Sequence, residues 1–158
     1  MFVVFLIGVV FGCQPPNCNN VDCGTCVEAC CKLRWNITGT SSETLAKEIE
    51  KSLKTGGPDG QYSYWATIPN QGPLSFVVQG VHSTKTMHYN DSLTFGLMDG
   101  GANSCTVEAF SHSQDFIQGD FAYCDDGQNY KNLISIIEAT DADFEERILF
   151  GCPPPKQL

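Results

Sequence analysis

An uncharged apolar run over residues 2–12 is followed at once by Cys13, Cys18, Cys23, Cys26, Cys30 and Cys31. No other feature of the chain restricts its fold as strongly. An apolar stretch of this length at an N-terminus, closed by small residues, has the form of a secretory h-region. It is shorter than the roughly 20 residues that a membrane-spanning helix needs. The cysteines behind it then enter an oxidising compartment, where disulfides are the expected state.

Val10 and Gly12 occupy the small-residue positions before a cut, which places cleavage after Gly12 and Cys13 at the new N-terminus. The chain has nine cysteines, an odd number, so one of them is unpaired, joined to another chain or modified. The string Val10-Phe11-Gly12-Cys13 resembles a bacterial lipobox, whose first mature cysteine carries the lipid. Cys13 is therefore the free, interchain or lipidated cysteine. Cys18, Cys23, Cys26, Cys30, Cys31, Cys105, Cys124 and Cys152 are left for disulfides of open connectivity. The expected location is extracellular, the alternative being a lipoprotein held at a membrane through Cys13. A disulfide-linked dimer follows if Cys13 pairs between chains.

A hydrophobic content of 42% is enough for a core, and the net charge of −9 sets the partners. Phosphate binding needs a basic surface, so nucleic acid is excluded, as is electrostatic attachment to anionic lipid. Asn36-Ile37-Thr38 and Asn90-Asp91-Ser92 are glycosylation sequons, Asn90 lying in an expected turn.

The chain divides into a signal peptide (1–12), a Cys-rich N-terminal segment (13–31), a single α+β domain (32–150) and a Pro-rich tail (151–158). Leu33, Trp35 and Ile37 alternate with polar residues as in a half-buried strand. Thr40-Ser41-Ser42-Glu43 has capping-box spacing, and Leu45, Ile49 and Leu53 form the apolar stripe of a helix that Gly56-Gly57-Pro58 stops. Tyr62, Tyr64, Ala66 and Ile68 alternate, residues 76–81 form the next strand and continue or turn near Gly80 toward Met87, and Leu93, Phe95 and Leu97 alternate into a hairpin at Asp99-Gly100-Gly101. Cys105, Val107 and Ala109 make the return strand. Tyr130, Leu133, Ile134 and Ile137 mark a second helix, and Thr140 caps a short third one carrying Phe144 and Ile148. The expected fold is α+β: an antiparallel sheet of about five or six strands with two or three helices packed on one face.

Three stretches between about residues 40 and 139 carry a likeness. Asn90-Asp91-Ser92-Leu93-Thr94-Phe95 is an acid leading into an apolar strand, Ser111-His112-Ser113 a serine pair on the strand after the hairpin, and Asp125-Asp126-Gly127-Gln128-Asn129 an acid-x-Gly-x-Asn turn opening a helix. In these the chain resembles the DUF1499 family of uncharacterised domains, often exported or lipid-anchored. The family brackets its serines with arginines, where Phe110 and Gln114 stand here. The resemblance implies fold and export, and lends no activity.

The remaining motifs suggest chemistry of several kinds. Cys23-x-x-Cys26-x-x-x-Cys30-Cys31 could hold zinc or act in redox exchange, but a second pair of ligands is absent and bridges are the expected use. Ser111, His112 and Asp125 are the candidates for a small secreted hydrolase, although strand neighbours point to opposite faces. His82, Thr84, Thr86 and His88 would share a strand face and could form a two-histidine metal site. Asp120, Asp125, Asp126 and Asn129 around Gly127 make the densest oxygen-donor loop and a calcium candidate, with Asp126 otherwise the N-cap of the following helix. Tyr64, Trp65, His82 and His88, with Tyr62, are expected on or near exposed sheet faces as a recognition surface. The leading expectation is a secreted, non-catalytic module that binds an extracellular ligand or protein and carries no cofactor.

Overall fold

Alternation at period two builds most of this domain. In the computed structural model, which describes residues 30–86, 89–114 and 127–152, six strands form one antiparallel sheet. They are β1 (Cys30–Thr38), β2 (Tyr62–Gln71), β3 (Leu74–Ser83), β4 (Asn90–Gly101), β5 (Ser104–Ser113) and β6 (Asp143–Phe150). Their order across the sheet is β2-β3-β4-β5-β1-β6, so β1 is inserted between β5 and β6. Two helices complete the fold among the described residues, α1 (Ser42–Lys54) and α2 (Gln128–Glu138). The signal peptide, most of the Cys-rich segment and residues 153–158 lie outside the described residues.

The core follows from register. Leu33, Trp35 and Ile37 of β1 lie opposite Ala109, Val107 and Cys105 of β5, and Phe95 and Leu97 of β4 continue the same rows. These side chains are fully or nearly fully buried, together with Leu45, Ile49 and Leu53 of α1 and Leu133, Ile136 and Ile137 of α2. Each such aliphatic or aromatic side chain contributes about 1.5–3 kcal/mol relative to exposure. Trp35 is the centre, its ring beside those of Phe95 and Phe144.

The N-cap of α1 is Ser41, whose Oγ accepts from the Thr44 N–H at 3.2 Å. The capping box expected at Thr40 and Glu43 is thus one residue out. The two hydroxyls there are so closely spaced that only the backbone decides which one caps. The helix ends at its C-cap Thr55, Gly56 follows at φ +92°, and a Cβ on the next residue, Gly57, would fall 2.2 Å from the Tyr62 ring. Only glycine leaves room for the Tyr62 ring at this position.

The N-cap position of α2 is Gly127 at φ +79°, and Asp126, expected there, lies outside the described residues. The larger correction concerns the third helix. Residues after Thr140 form strand β6, with Phe144, Glu146 and Ile148 opposite Ile37, Trp35 and Leu33. Phe144 and Ile148 fit either period, and a hydrogen bond from Trp35 Nε1 to Glu146 Oε2 at 3.0 Å accompanies the strand pairing. Strand β3 ends at Ser83, short of Met87, and Asn90 opens β4, where its side-chain oxygen accepts from the Ser83 hydroxyl at 2.6 Å. Asn36 is exposed on β1.

One disulfide is present among the described residues. Cys31 is joined to Cys152 over a sequence separation of 121, tying the start of β1 to the chain just beyond β6. The domain therefore begins inside the Cys-rich segment, with Cys30 and Cys31 already in β1.

Candidate functional site

Tyr62, His82, Asp91 and Ser113 stand directly opposite one another across β2, β3, β4 and β5. They form one polar row at the end of the face that carries the helices, and all four are buried. The next row contains Tyr64, Gly80, Leu93, Ser111 and Cys31. Burial of so many polar groups is tolerated only when they are hydrogen-bonded.

Helix α2 supplies the partners. Ser111 Oγ donates to Asn129 Oδ1 at 2.5 Å, Asn129 Nδ2 donates to Ser113 Oγ at 3.0 Å, and Ser113 Oγ donates to Asp91 Oδ1 at 2.8 Å. From the other side, Gln128 Nε2 donates to Asn132 Oδ1 at 2.6 Å and Asn132 Nδ2 donates to Asp91 Oδ2 at 2.7 Å. Both chains of donors end on the Asp91 carboxylate, which as an anion accepts only. The Tyr62 hydroxyl donates to the Asn132 carbonyl at 3.1 Å and so fixes the helix to β2.

His82 adjoins this network without completing it. Its Nε2 lies 3.0 Å from Asp59 Oδ2, and its Nδ1 lies 4.0 Å from Asp91 Oδ2 with no hydrogen-bond partner. Burial of Asp59 acts to raise its pKa, but hydrogen bonds from His82 and the Gln61 N–H outweigh it and hold the carboxyl below its ordinary range. Burial, followed by the charges of Asp59 and Asp91, pushes the Tyr62 phenol up to about 12.

A serine nucleophile needs a base within hydrogen-bond reach, yet the Ser111 hydroxyl donates to an amide and the Ser113 hydroxyl to Asp91. His112 lies on the opposite face of β5, opposite Cys30 and Ser92, where burial lowers its pKa. Ser111 and His112 therefore point to opposite faces of β5, and Asp125 lies outside the described residues. Asn129, expected as a calcium ligand, instead spends its amide on the two serines. Asp120, Asp125 and Asp126 lie outside the described residues. Among the described residues no cluster of three or more His, Cys, Asp or Glu could hold a metal ion.

The expected recognition surface is taken apart by the fold. His82 is only 2% exposed, and Tyr62 is also buried. Tyr64 is half-buried, its ring under Lys54 Nζ at 4.5 Å and its hydroxyl on Thr67. Thr84 and Thr86 fall beyond the end of β3, so they share no strand face with His82, and His88 lies outside the described residues. Among the described residues of that set, Trp65 is the one on the surface, 67% exposed. The register of β2 against β3 shifts between Tyr64 and Ala66, and such a bulge re-aims a side chain.

The cysteines are corrected at one position. Cys105, expected in a bridge, is a buried thiol with no disulfide, facing the core beside Ile37. Burial, and secondarily Asp99, pushes it up to about 11. Cys13, Cys18, Cys23, Cys26 and Cys124 lie outside the described residues.

No family model matches the chain. No curated protein matches it either. The three stretches quoted for the DUF1499 resemblance nonetheless meet in space, since Asp91, Ser111, Ser113 and Asn129 are members of one hydrogen-bonded network. The network also includes Asn132 and Gln128, which sequence reasoning missed. Their signal was an Asn on the same side of α2 as Leu133 and Ile136.

Elsewhere, a shallow depression of about 410 Å³ lies between the C-terminal ends of α1 and α2. Its charged lining residues, Glu48, Lys51 and Asp141, are none of them buried. It offers no converging polar set.

Proposed function

We propose that the protein is an exported, disulfide-stapled binding domain that performs no chemistry of its own and meets its partner through the β2–β3 hairpin. Export is supported by the apolar run over residues 2–12 and by the Cys31–Cys152 bridge, which belongs to an oxidising compartment. A DUF1499-like architecture is part of the same reading, supported by the meeting of Asp91, Ser111, Ser113 and Asn129.

The observation that carries the binding reading is Trp65. A tryptophan 67% exposed on an edge strand is unusual, because burial of this side chain is strongly favourable and its N–H gives it a polar handle. Ile68, on the same strand, is also exposed. Tryptophan is among the residues that carry most of the energy at protein interfaces.

The test is an array of extracellular glycans and proteins probed with the oxidised chain and with Trp65→Ala. The expected result is retention of the wild type on one class of ligand and its loss in the variant. Equal retention of both proteins, or turnover of generic ester and peptide substrates by the wild type, would defeat the reading.

A further inference from the structure

The chain has two arginines, and strand register sets them side by side. Arg34 of β1 lies directly opposite Arg147 of β6. Like charges in that relation are destabilising, because opposed side chains of a sheet start only about 5 Å apart. Arg34 turns toward Glu108 of β5, to which its Nε donates at 3.2 Å, and Lys32 Nζ takes the other carboxylate oxygen at 3.0 Å. Three cations thus share one acid. Arg147 is exposed and has no ion pair among the described residues.

These side chains stand on the face of the sheet away from α1 and α2. Leu33, Trp35 and Ile37 meet the helices, and Lys32 and Arg34 alternate with them. The row that holds Arg147, Arg34 and Glu108 continues through Gly96 and Val77 to Ile68 of β2. It is cationic at one end and apolar at the other, over five strand spacings or about 24 Å. Ile68 belongs to the hairpin that carries the proposed binding role.

We infer that this row seats an extended acidic segment of a partner protein, its carboxylates on Arg34 and Arg147 and its apolar side chains toward Val77 and Ile68. The inference rests on the binding reading and names the chemistry of the partner. Charge complementarity selects it. A guanidinium fork matches a carboxylate bidentately, and both guanidiniums of a chain of net charge −9 are gathered here. A polyanion is held by many cations along its length. This patch spans two rows and is bounded by Glu145, which lies opposite Asn36 in the next. Small ligands favour concave sites, whereas this is the open face of a sheet. A span of about 24 Å corresponds to about seven extended residues.

The probe is an array of synthetic eight-residue peptides that combine one or two Asp or Glu with Leu and Phe. Beside them stand the same peptides with Gln or Lys in place of the acids, and heparin and tripolyphosphate as polyanions. Protein purified without reductant from an oxidising host should bind the acidic peptides at least about tenfold more tightly than the Gln set. Added salt should weaken that preference. Arg147→Glu should weaken binding at least about tenfold. Lys131→Glu, which changes the net charge equally at an exposed position of α2, should leave it unchanged. Thermal melting of each variant establishes its folding, and Arg147→Ala decides if Arg147→Glu does not fold.

Equal binding of the acidic and Gln peptides overturns the inference, as does an acidic preference that both Arg147 variants keep. Binding of heparin or tripolyphosphate without the acidic peptides also overturns it, making the occupant a polyanion. A ligand on the array of extracellular glycans and proteins that is lost in Trp65→Ala but kept by Arg147→Glu defeats this inference alone and leaves the binding reading standing.

Discussion

Asp91 and Ser113 face each other across β4 and β5, and the Ser113 hydroxyl donates to Asp91 Oδ1 at 2.8 Å while Asn132 Nδ2 donates to Oδ2. Both donor chains from α2 and β5 end on this carboxylate, so its loss and the loss of one donor are not equivalent. Asp91→Ala strands the Ser113 hydroxyl and the Asn132 amide in a buried setting and should cost about 3 kcal/mol. Ser113→Ala removes one donor to Asp91 and the acceptor of Asn129 and should cost about 1–2 kcal/mol. Urea denaturation of both single variants and the double variant checks this. Strict additivity would mean that the two groups do not act as one unit.

The Cys31–Cys152 bridge closes nearly the whole described chain, over a separation of 121 residues. Loop-closure entropy in the unfolded state predicts a stabilisation of about 5 kcal/mol for a loop of this length. Cys152→Ser should therefore lower the guanidinium midpoint, and the loss should vanish when both proteins are compared under reducing conditions. A midpoint unchanged by the substitution would count against the bridge as a staple.

Alternation was legible wherever a strand buries one face. Leu33, Trp35 and Ile37, or Leu93, Phe95 and Leu97, can be read directly, because their period specifies the side that meets the helices. The end of the chain was not legible, because Phe144 and Ile148 are four apart and satisfy a helix as well as a strand. Only pairing with β1, a contact more than 100 residues away in sequence for Trp35 and Glu146, distinguishes them. The site was half legible for the same reason. Ser111, Ser113 and Asn129 stood out locally, but their common acceptor at Asp91 is set by strand register and by the placing of α2. His82, expected on or near an exposed face, is buried, because period alone does not say which face of an edge hairpin the helix covers.

Cys105 makes a second contrast with the bridged pair. Its thiol is buried and pushed up to about 11, chiefly by burial, so little thiolate forms near neutrality. Iodoacetamide at pH 8 should leave Cys105 unmodified in the native protein and label it fully in denaturant, as read by peptide mapping. Rapid native labelling at this cysteine would contradict its placement against Ile37.

Tyr62 gives the fold a weakness at alkaline pH. Its phenol rises from 10.0 to about 12 in the native state, first through burial and then through Asp59 and Asp91. Below pH 10 both folded and unfolded chains hold the proton, and the contribution is complete. Between pH 10 and about 12 the unfolded chain releases the proton while the folded chain keeps it, so stability falls as pH rises. The loss over that window is on the order of 2 kcal/mol. Tyr62→Phe removes the ionising group and its hydrogen bond to the Asn132 carbonyl. The variant should be less stable than the wild type by about 1 kcal/mol at pH 8, and the difference should shrink or reverse toward pH 12, because the variant is spared this titration. Cys105 titrates in an overlapping range in both proteins and cancels in the comparison. Urea unfolding at pH 8, 10 and 11.5 measures the effect, and parallel pH profiles for the two proteins would show that the Tyr62 proton plays no part in alkaline unfolding.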